Sequence, residues 1–426
     1  EMGKKSVAVY SAGDKNASYL KHADEAVCIG GAKSKDSYLN IPAIITAAEM
    51  TGCDAIFPGY GFLSENQDFV EICRLHNIKF IGPSVEVMEK MADKSKAKEE
   101  MIRAGVPVVP GSKGSVHSVT EGKKVALEIG YPIMAKAAAG GGGRGMRLIK
   151  EESEFDQLFM AASSEALAAF GDGTMYLERF INNPRHIEVQ VVGDAHGNAI
   201  HIGERDCSLQ RRHQKVIEES PAILLNDETR AKLHDVAVKA TKYLKYEGAG
   251  TFEFLADDKQ NIYFMEMNTR LQVEHPVSEM VSGIDIVELM IKVAEGEKVP
   301  PQESIKFRGH AIECRITAED PNSFLPSPGK VTQWMVPGGR NVRVDSHVYT
   351  NYVVPPYYDS MIGKLIVWGR DRNKAINIMK RALAEFEVEG IKTTIPFHQK
   401  MMENEDFISN NYDTKYLENY KKLDDL

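Results

Sequence analysis

Short apolar runs alternate with amphipathic stretches through the first part of the chain, up to about residue 82. The apolar runs at residues 6–10, 26–29, 55–57 and 79–81 have the length of buried strands. Helices are predicted between them at Ile41–Met50, with Asn40 as the cap, and at residues 65–76, after the cap Ser64. This alternation predicts a doubly wound parallel sheet, whose ligands collect at the carboxyl ends of the strands. Residues 59–62 follow the third strand at such an end. They form either a binding segment or an ordinary turn between a strand and a helix.

The pattern changes after residue 82. A charged helical stretch at 85–104 leads into a smaller unit at 108–180, with strands predicted at 132–137, 146–149 and 174–178 and a helix at 152–169. The remainder is of α+β type, with strands predicted at 186–192, 199–202, 250–256, 261–268, 309–316 and 363–368 and a helix at 372–387. Because 426 residues exceed one ordinary core, we expect two or three domains.

Acidic residues on two neighbouring strands carry the strongest chemical signal. Side chains alternate along a strand, so Glu266, Asn268 and Arg270 share one face, and a hairpin sets Glu253 beside Glu266. Two carboxylates about 4 Å apart repel by roughly 4 kcal/mol, which indicates a cation between them. Two carboxylates and an amide oxygen suit Mg²⁺, which shares its remaining positions with water and phosphates. The hairpin therefore predicts a metal–phosphate site.

Consecutive glycines from Gly140 to Gly143 lie between two predicted strands. No Lys-Ser or Lys-Thr pair follows them, and the next segment is strand-like, so neither a P-loop nor a dinucleotide fingerprint fits. Glycines allow backbone N–H groups to approach an anion closely, and this arrangement predicts a flap over phosphates, with Lys136 reaching the same groups. The alternative is a surface loop without a ligand.

Basic residues concentrate between Arg205 and Lys215. This run is either a solvated charged segment or the cationic part of a second anion site, beside Arg270. Arginine suits bidentate recognition of a carboxylate or bicarbonate, and Glu274 is placed to act as a general base nearby. His275 is interpreted as structural.

Composition narrows the class of protein. A net charge of −9 argues against general binding to nucleic acid, so anion sites must be local clusters. Five cysteines without C-x-x-C spacing indicate reduced thiols, and no apolar run reaches the length of a membrane span. We expect a cytoplasmic protein that binds neither nucleic acid nor membrane.

Long ordered motifs then identify a resemblance to the biotin carboxylase family, which belongs to the ATP-grasp enzymes. They are the segments 140–146, 204–215, 265–276 and 355–365, and the resemblance runs through nearly the whole chain. It implies an N-terminal biotin-carboxylase-type α/β domain at 1–82, a helical connector at 83–107, an ATP-grasp lid domain at 108–180 and a C-terminal catalytic domain with an antiparallel sheet at 181–426. The family also has an upstream strand and glycine turn that this sequence lacks.

The same resemblance implies the site residues. Nucleotide contacts are expected from Lys94, Lys136, Gly140, Gly141, Gly142, Gly143, Gly145, Glu178, His186, Gln210 and His213. Mg²⁺ or Mn²⁺ ligands are expected at Glu253, Glu266 and Asn268, a bicarbonate site at Lys215, Arg270, Gln272 and Val273, and biotin contacts at Tyr60, Gly61 and Arg315. The catalytic roles fall to Glu274, Arg315, Arg270 and Lys215, with Glu274 as the base that deprotonates bicarbonate and Arg315 stabilising the biotin enolate.

The implied reaction is ATP-dependent carboxylation of biotin through carboxyphosphate, as the first half-reaction of acetyl-CoA carboxylase. No Ala-Met-Lys-Met biotinylation segment occurs, so biotin is expected on a carrier protein, alongside carboxyltransferase subunits and a second copy of the chain in a homodimer. Three alternatives remain: a component of pyruvate carboxylase or propionyl-CoA carboxylase, another ATP-grasp ligase that forms an acylphosphate, and a non-catalytic nucleotide-binding scaffold.

Overall fold

The computed structural model describes residues 1–137, 145–212 and 214–419. Its N-terminal part contains β1 (Val7–Ser11), β2 (Glu25–Gly30), α1 (Ile41–Met50), β3 (Ala55–Ile56), α2 (Gln67–Leu75) and β4 (Lys79–Phe80). The predicted parallel pairing is confirmed, and the strands form two separate pairs, β1 with β2 and β3 with β4. Short 3₁₀ turns occur at Ala12–Asp14, Ser18–Lys21, Ser34–Asp36, Glu152–Glu154, Gln302–Ser304 and Tyr416–Asn419.

Two predicted helix boundaries were wrong, both because a different polar residue forms the cap. Helix α2 begins two residues later than expected, since Asn66 and not Ser64 accepts a hydrogen bond from the N–H of Phe69, at 2.8 Å. The single helix predicted at 85–104 is two helices, α3 (Val85–Ala92) and α4 (Lys94–Arg103). Asp93 interrupts them with an extended backbone and accepts the N–H of Lys96 at 2.8 Å, as a helix N-cap does.

A small unit follows, made of α5 (Val119–Ile129), β5 (Ile133–Ala137), β6 (Met146–Ile149), α6 (Phe155–Phe170) and β7 (Met175–Arg179). Its three strands form an antiparallel sheet in the order β6-β5-β7. Phe155 and Phe159 of α6 pack with Ile133 and Leu177 of the sheet in a separate hydrophobic core. The predicted strands are confirmed, whereas α5 was missed.

The second half is built on an eight-stranded sheet in the order β12-β11-β8-β9-β10-β13-β18-β16, in which every neighbouring pair is antiparallel. Its elements and the helices between them are β8 (Arg185–Gly193), β9 (Ala199–Arg211), β10 (Gln214–Ser220), α7 (Asp227–Tyr243), β11 (Gly248–Ala256), β12 (Ile262–Asn268), α8 (His275–Ser282), α9 (Ile286–Ala294) and β13 (His310–Thr317). They are followed by β14 (Gly329–Lys330), β15 (Gln333–Met335), β16 (Val342–Asp345), β17 (Val353–Val354), β18 (Met361–Gly369), α10 (Arg372–Glu385), β19 (Glu387–Glu389), α11 (Ile395–Glu403) and α12 (Glu405–Ile408).

The strand predicted at 199–202 was too short. In the structure β9 continues to Arg211 and pairs with β10, so the basic run is part of the central sheet and not a loop. Residues Ile200, Ile202, Cys207 and Leu209 of β9 are buried, which supplies the apolar support that the charged sequence concealed.

All five cysteines are free thiols, as their spacing indicated. Among the described residues, no helix has both the length and the apolar character needed to cross a bilayer.

Candidate active site

The acidic hairpin forms as predicted. Strands β11 and β12 pair with Glu253 directly opposite Glu266 and with Thr251 opposite Asn268. Phe252 and Phe254, on either side of Glu253, are fully buried in the hydrophobic core. Because side chains alternate along a strand, this burial fixes the Glu253 carboxylate on the opposite face of β11.

The carboxylate of Glu253 is surrounded by donors. Lys215 Nζ lies 3.0 Å from its Oε1 atom, and the side-chain amides of Asn268 and Gln272 donate to the same oxygen at 2.7 and 2.9 Å. The Nε2 atom of His186 lies 3.1 Å from Oε2. Burial raises the pKa of Glu253, but Lys215 and His186 outweigh burial and hold that pKa well below its ordinary range. The cation in contact with Glu253 in this structure is therefore Lys215.

Lys215 on β10 joins several acids at one ammonium group. Its Nζ atom contacts the carboxylate of Glu188, and it lies 3.0 Å from Glu253 and 2.7 Å from Glu274. Burial lowers the pKa of Lys215, but the attraction of Glu274 and Glu253 raises it above its ordinary value. The lysine is therefore charged, and it links the candidate metal ligand to the candidate base.

Glu274 bridges two cations. Its Oε1 atom accepts from Lys215, and its Oε2 atom lies 3.0 Å from Nη2 of Arg315. Burial raises the pKa of the Glu274 carboxyl, yet Lys215 and Arg315 hold it well below its ordinary value, so Glu274 is ionised. Arg315 lies on β13 between the buried residues Cys314 and Ile316, which orient its guanidinium to the opposite face.

Arg205, the first residue of the basic run, does not offer a free cation. Its side chain is fully buried, and its guanidinium donates to Glu188 at 3.1 Å, to Gln190 at 2.8 Å and to Gln272 at 2.5 Å. Arg205 is therefore neither solvated nor open to an anion, because its donors face protein acceptors on β8 and on the loop after β12. Arg205 instead holds Gln272 beside Glu253.

Arg270 is oriented from the N-terminal part of the chain. Its Nε atom donates to Glu65 at 2.9 Å, and its Nη2 atom donates to Oδ1 of Asn268 at 3.0 Å. Glu65 also accepts a hydrogen bond from the backbone N–H of Thr269 at 2.9 Å. The Glu65 carboxylate therefore holds both Thr269 and the side chain of Arg270 in place. The adjoining backbone carbonyl of Val273 accepts from Lys364 Nζ at 2.8 Å.

A cavity of about 1020 Å³ brings these groups together. The residues predicted to contact bicarbonate or biotin that line it are Tyr60, Gly61, Lys215, Arg270, Val273 and Arg315. Tyr38, Phe62 and Tyr358 form an aromatic cluster in the same wall, with the Tyr38 and Phe62 rings stacked at 4.9 Å. Two segments far apart in the sequence, one after β3 and one after β12, thus face one cavity.

Two lysines contact Glu178, and one of them, Lys136, is a predicted nucleotide contact. Lys136 Nζ lies 2.6 Å from Glu178, and Lys98, which sequence reasoning missed, lies 3.3 Å from the same carboxylate. Burial raises the pKa of Glu178, but the two lysines lower it below its ordinary value. Gly145 has a φ of +68°, and a Cβ atom there would meet Ala137 at 2.8 Å, so the end of the flap requires glycine.

His186 and Gln210 contact each other near the hairpin, with Gln210 Nε2 lying 3.1 Å from Nδ1 of His186. Gly140, Gly141, Gly142, Gly143 and His213 lie outside the described residues, as does the side chain of Lys94, whose backbone begins α4.

Sequence reasoning also missed acids and a lysine beneath the cavity: Glu188, Glu218, Glu313 and Lys364. Strand alternation was a usable signal for two of them, since Glu188 lies two residues after His186 and Glu313 lies two residues before Arg315. His275 is buried and contacts the backbone carbonyl of Gln272 at 2.7 Å, while burial lowers its pKa to about 3.

Family models match three consecutive parts of the chain. Residues 1–88 match the biotin carboxylase N-terminal domain, residues 93–302 match the ATP-binding domain of the carbamoyl-phosphate synthase L chain, and residues 313–419 match the biotin carboxylase C-terminal domain.

Individual relatives agree with these matches over nearly the whole chain. The sequence is 56% identical to biotin carboxylase from Nostoc sp. (strain PCC 7120) over 99% of this chain and 95% of the relative. It is 51% identical to a pyruvate carboxylase subunit from Methanothermobacter thermautotrophicus over 99% of this chain and 86% of the relative. A crystal structure of a biotin carboxylase–beta-gamma-ATP complex from Campylobacter jejuni is 67% identical, with a TM-score of 0.88, over 98% of this chain and 94% of that one. The chain therefore belongs to the biotin carboxylase family.

Proposed function

We propose that the chain catalyses the ATP-dependent carboxylation of biotin, with bicarbonate as the carbon source and carboxyphosphate as the activated intermediate. The observation that carries this proposal is the contact of Glu274 with both Lys215 and Arg315 beside the large cavity. An ionised base between two cations, next to room for two small substrates, suits proton removal from one bound anion and charge stabilisation on another.

Lys215 and Arg270 would hold bicarbonate, together with Gln272 and the backbone of Val273. Arginine and lysine at the same cavity wall neutralise the anion, and Glu65 keeps Arg270 from turning away. Glu274 then accepts the proton of bicarbonate. Its basicity is low in this structure because Lys215 and Arg315 stabilise the carboxylate, and an anion that shares those cations would raise its pKa.

The hairpin residues fit a hard divalent cation. Glu253 and Glu266 stand opposite each other and would supply carboxylate oxygens to Mg²⁺ or Mn²⁺. Asn268 would add its amide oxygen on turning its side chain, whose nitrogen donates to Glu253 and whose oxygen accepts from Arg270 in this structure. When bound, the ion would neutralise charge on the phosphoryl group that passes from ATP to bicarbonate. Lys136 and the N–H groups beside Gly145 would contact phosphates, and Glu178, His186 and Gln210 would border the nucleotide; Lys94, the remaining flap glycines and His213 are proposed for the same pocket.

Arg315 would act in the second step. After carboxyphosphate yields CO₂ and phosphate, the biotin ureido nitrogen gives up its proton to phosphate and attacks CO₂, while Arg315 stabilises the enolate charge on the ureido oxygen. Tyr60 and Gly61 line the same cavity and would border the ureido ring. A closed lid protects the activated intermediate from water.

We infer that the carboxylated biotin belongs to the carrier protein of acetyl-CoA carboxylase, which also contains carboxyltransferase subunits, and that the chain acts as a homodimer. The 56% identity to a Nostoc biotin carboxylase over nearly the full chain supports the carboxylation of biotin, which is the step that these assemblies share. Pyruvate carboxylase is the second candidate assembly, because the Methanothermobacter subunit of that enzyme is 51% identical. Reconstitution with carrier proteins and carboxyltransferases of each kind decides between acetyl-CoA and pyruvate as the acceptor.

The proposed reaction is tested by measuring ATP hydrolysis with and without bicarbonate and free biotin. We expect hydrolysis to require bicarbonate and to rise when biotin is added. Hydrolysis that instead requires an amine or amino-acid acceptor would identify another ATP-grasp ligase, and tight ATP binding without turnover would identify a scaffold.

A further inference from the structure

Two carboxyl groups lie side by side beneath the cavity. Glu218 on β10 and Glu313 on β13 are Cα partners in the sheet, and both side chains are fully buried. Arg315 follows Glu313 by two residues on the same face of β13. These two acids therefore adjoin the guanidinium that the proposed function assigns to the substrate.

The two carboxyl groups differ in their hydrogen-bond partners. Oε1 of Glu218 accepts from Nε of Arg315 at 2.6 Å, and this bond favours an ionised Glu218 against burial, which raises the pKa of that carboxyl above its ordinary value. Neither oxygen of Glu313 has a hydrogen-bond partner within the described ranges of the chain, and Oε2 of Glu218 has none either. A buried carboxylate without a donor is far more costly than a buried neutral acid.

Negative charge near Arg315 is already in excess without Glu313. Its guanidinium contacts the carboxylates of Glu218 and Glu274, so two carboxylates share one positive charge and an ionised Glu313 would enlarge that excess. The neighbouring ammonium of Lys364 is directed to the carbonyl of Val273 at 2.8 Å and lies 3.5 Å from Asp345. No cation is thus in contact with Glu313 itself among the residues that the structure describes.

We propose that Glu313 is held as the neutral acid, and that its neutrality leaves Arg315 with enough positive charge to stabilise the substrate anion in the cavity. This inference rests on the proposed biotin carboxylation. Glu313 is a positioning residue here, since it faces Arg315 and not the substrate.

The surroundings of Glu313 agree with this assignment. Burial raises the pKa of Glu313 far above its ordinary value, and the adjoining Glu218 and Glu274 add to the rise against the pull of Lys364 and Arg315. The other charged or titratable groups near Lys364 and Arg315 are Tyr60 from the loop after β3, Asp345 on β16 and His275 at the start of α8. Asp345 and Tyr60 carry no positive charge in any protonation state, and burial lowers the pKa of His275 to about 3, so none of the three supplies a cation to Glu313.

Infrared difference spectra between the full wild-type chain and each variant test the protonation state of Glu313 directly. We expect the wild type at neutral pH to show a protonated-carboxyl band that is sensitive to D₂O and that disappears in Glu313→Gln. Glu218→Gln is the matched control, because it removes the other member of the pair and is expected to leave the band in place. Absence of a band that depends on Glu313 would overturn the proposal.

Kinetics then tests the consequence for Arg315. We expect Glu313→Gln to keep biotin-dependent turnover within about threefold of the wild type, because glutamine preserves shape and neutrality. If alkaline titration ionises Glu313 while the fold persists, turnover should fall with the same midpoint as the infrared band, and Glu313→Gln should lack that fall. A loss of about 100-fold or more in a folded Glu313→Gln enzyme would show that a carboxylate is required and would contradict the proposal.

Failure of the inference about Glu313 can be distinguished from failure of the proposed biotin carboxylation. A wild-type chain without biotin-stimulated ATP hydrolysis at any pH would remove the proposed function, whereas an active wild type with an ionised Glu313 would remove only the inference. Circular dichroism and the thermal midpoint of each variant confirm that the comparison is made on folded protein.

Discussion

The ammonium group of Lys215 lies 2.7 Å from the carboxylate of Glu274, and this contact connects the two halves of the candidate site. On one side Lys215 also reaches Glu253, the candidate metal ligand, at 3.0 Å. On the other side Glu274 reaches Arg315 at the cavity. A charge that arrives at either end therefore changes the electrostatic balance at the other.

Replacement of Glu274 by Gln tests the base. The substitution keeps the shape and removes the proton acceptor, so we expect biotin-dependent turnover to fall about 100-fold or more while ATP affinity changes little. Steady-state kinetics and nucleotide binding by calorimetry measure the two effects. Glu288→Gln, at a half-exposed position on α9 where the carboxylate pairs only with Lys292 among the described ion pairs, is the control and should behave as the wild type. Carboxybiotin formation at the wild-type rate in Glu274→Gln would reject the base assignment.

Arg315→Ala tests the stabilisation of the biotin enolate. Because this step follows bicarbonate activation, we expect carboxylation of biotin to fall more than bicarbonate-dependent ATP hydrolysis without biotin. The ratio of carboxybiotin to ADP measures the uncoupling. The variant also leaves Glu218 without its 2.6 Å partner, so its thermal midpoint must be measured alongside that of the exposed control Arg381→Ala. Equal loss of both activities would place Arg315 in the first step.

The metal assignment predicts a shift in magnesium dependence. Glu266→Gln replaces one oxygen donor of the hairpin by a weaker neutral one, and we expect the Mg²⁺ concentration for half-maximal turnover to rise about tenfold or more. Mn²⁺ titration followed by electron paramagnetic resonance provides a readout independent of turnover. Glu247→Gln, which removes a peripheral ion pair with Lys79, is the matched control. Unchanged metal affinity in Glu266→Gln would move the site elsewhere.

Glu204 provides a prediction about stability and pH. Burial raises the pKa of this carboxyl, but hydrogen bonds and charge from His234 and Arg230 outweigh burial and lower it from 4.5 to about 2. A depressed folded pKa stabilises the fold above the unfolded pKa, and this stabilisation is lost as the pH falls from about 4.5 towards 2. We expect Glu204→Gln to lower the free energy of unfolding at pH 7 by about 3 kcal/mol, with a smaller difference near pH 4.

Denaturant unfolding at several pH values measures this effect. Glu71→Gln, at the exposed pair with Arg74, should change little at any pH and serves as the control. A Glu204→Gln deficit that is the same at pH 7 and pH 4 would mean that packing, and not the ionised pair, accounts for it.

Much of the fold followed from periodicity, because apolar alternation reports directly on burial. The pairing of Glu253 with Glu266 was predicted because both strands are short, alternating and close in sequence. The course of β9 was not, since Arg205 is a buried charge whose partners, such as Glu188 and Gln272, lie on other strands or loops and leave no local pattern. The split at Asp93 was missed for a different reason, because cap geometry depends on which of several polar residues turns back onto the helix.

The candidate site likewise contains residues that the sequence indicated and residues that only the structure reveals. Lys215 in the segment 204–215, and Arg270 and Glu274 in the segment 265–276, could be named as candidates because their chemistry stands in motifs visible in the sequence. Glu65 and Lys364 were missed, since each acts on the motif from a distant segment, one on Arg270 and the other on the carbonyl of Val273. Contacts of this kind follow only from the packed sheet and cavity.

Transfer of the carbon atom is the most direct test of the function. The full chain is incubated with Mg²⁺, ATP, carbon-labelled bicarbonate and free biotin, and the label in biotin is measured against the ADP released. We predict labelled carboxybiotin that requires both ATP and metal and that is lost in Glu274→Gln. ATP cleavage by the wild type with no label in biotin, at saturating bicarbonate and biotin, would contradict the account.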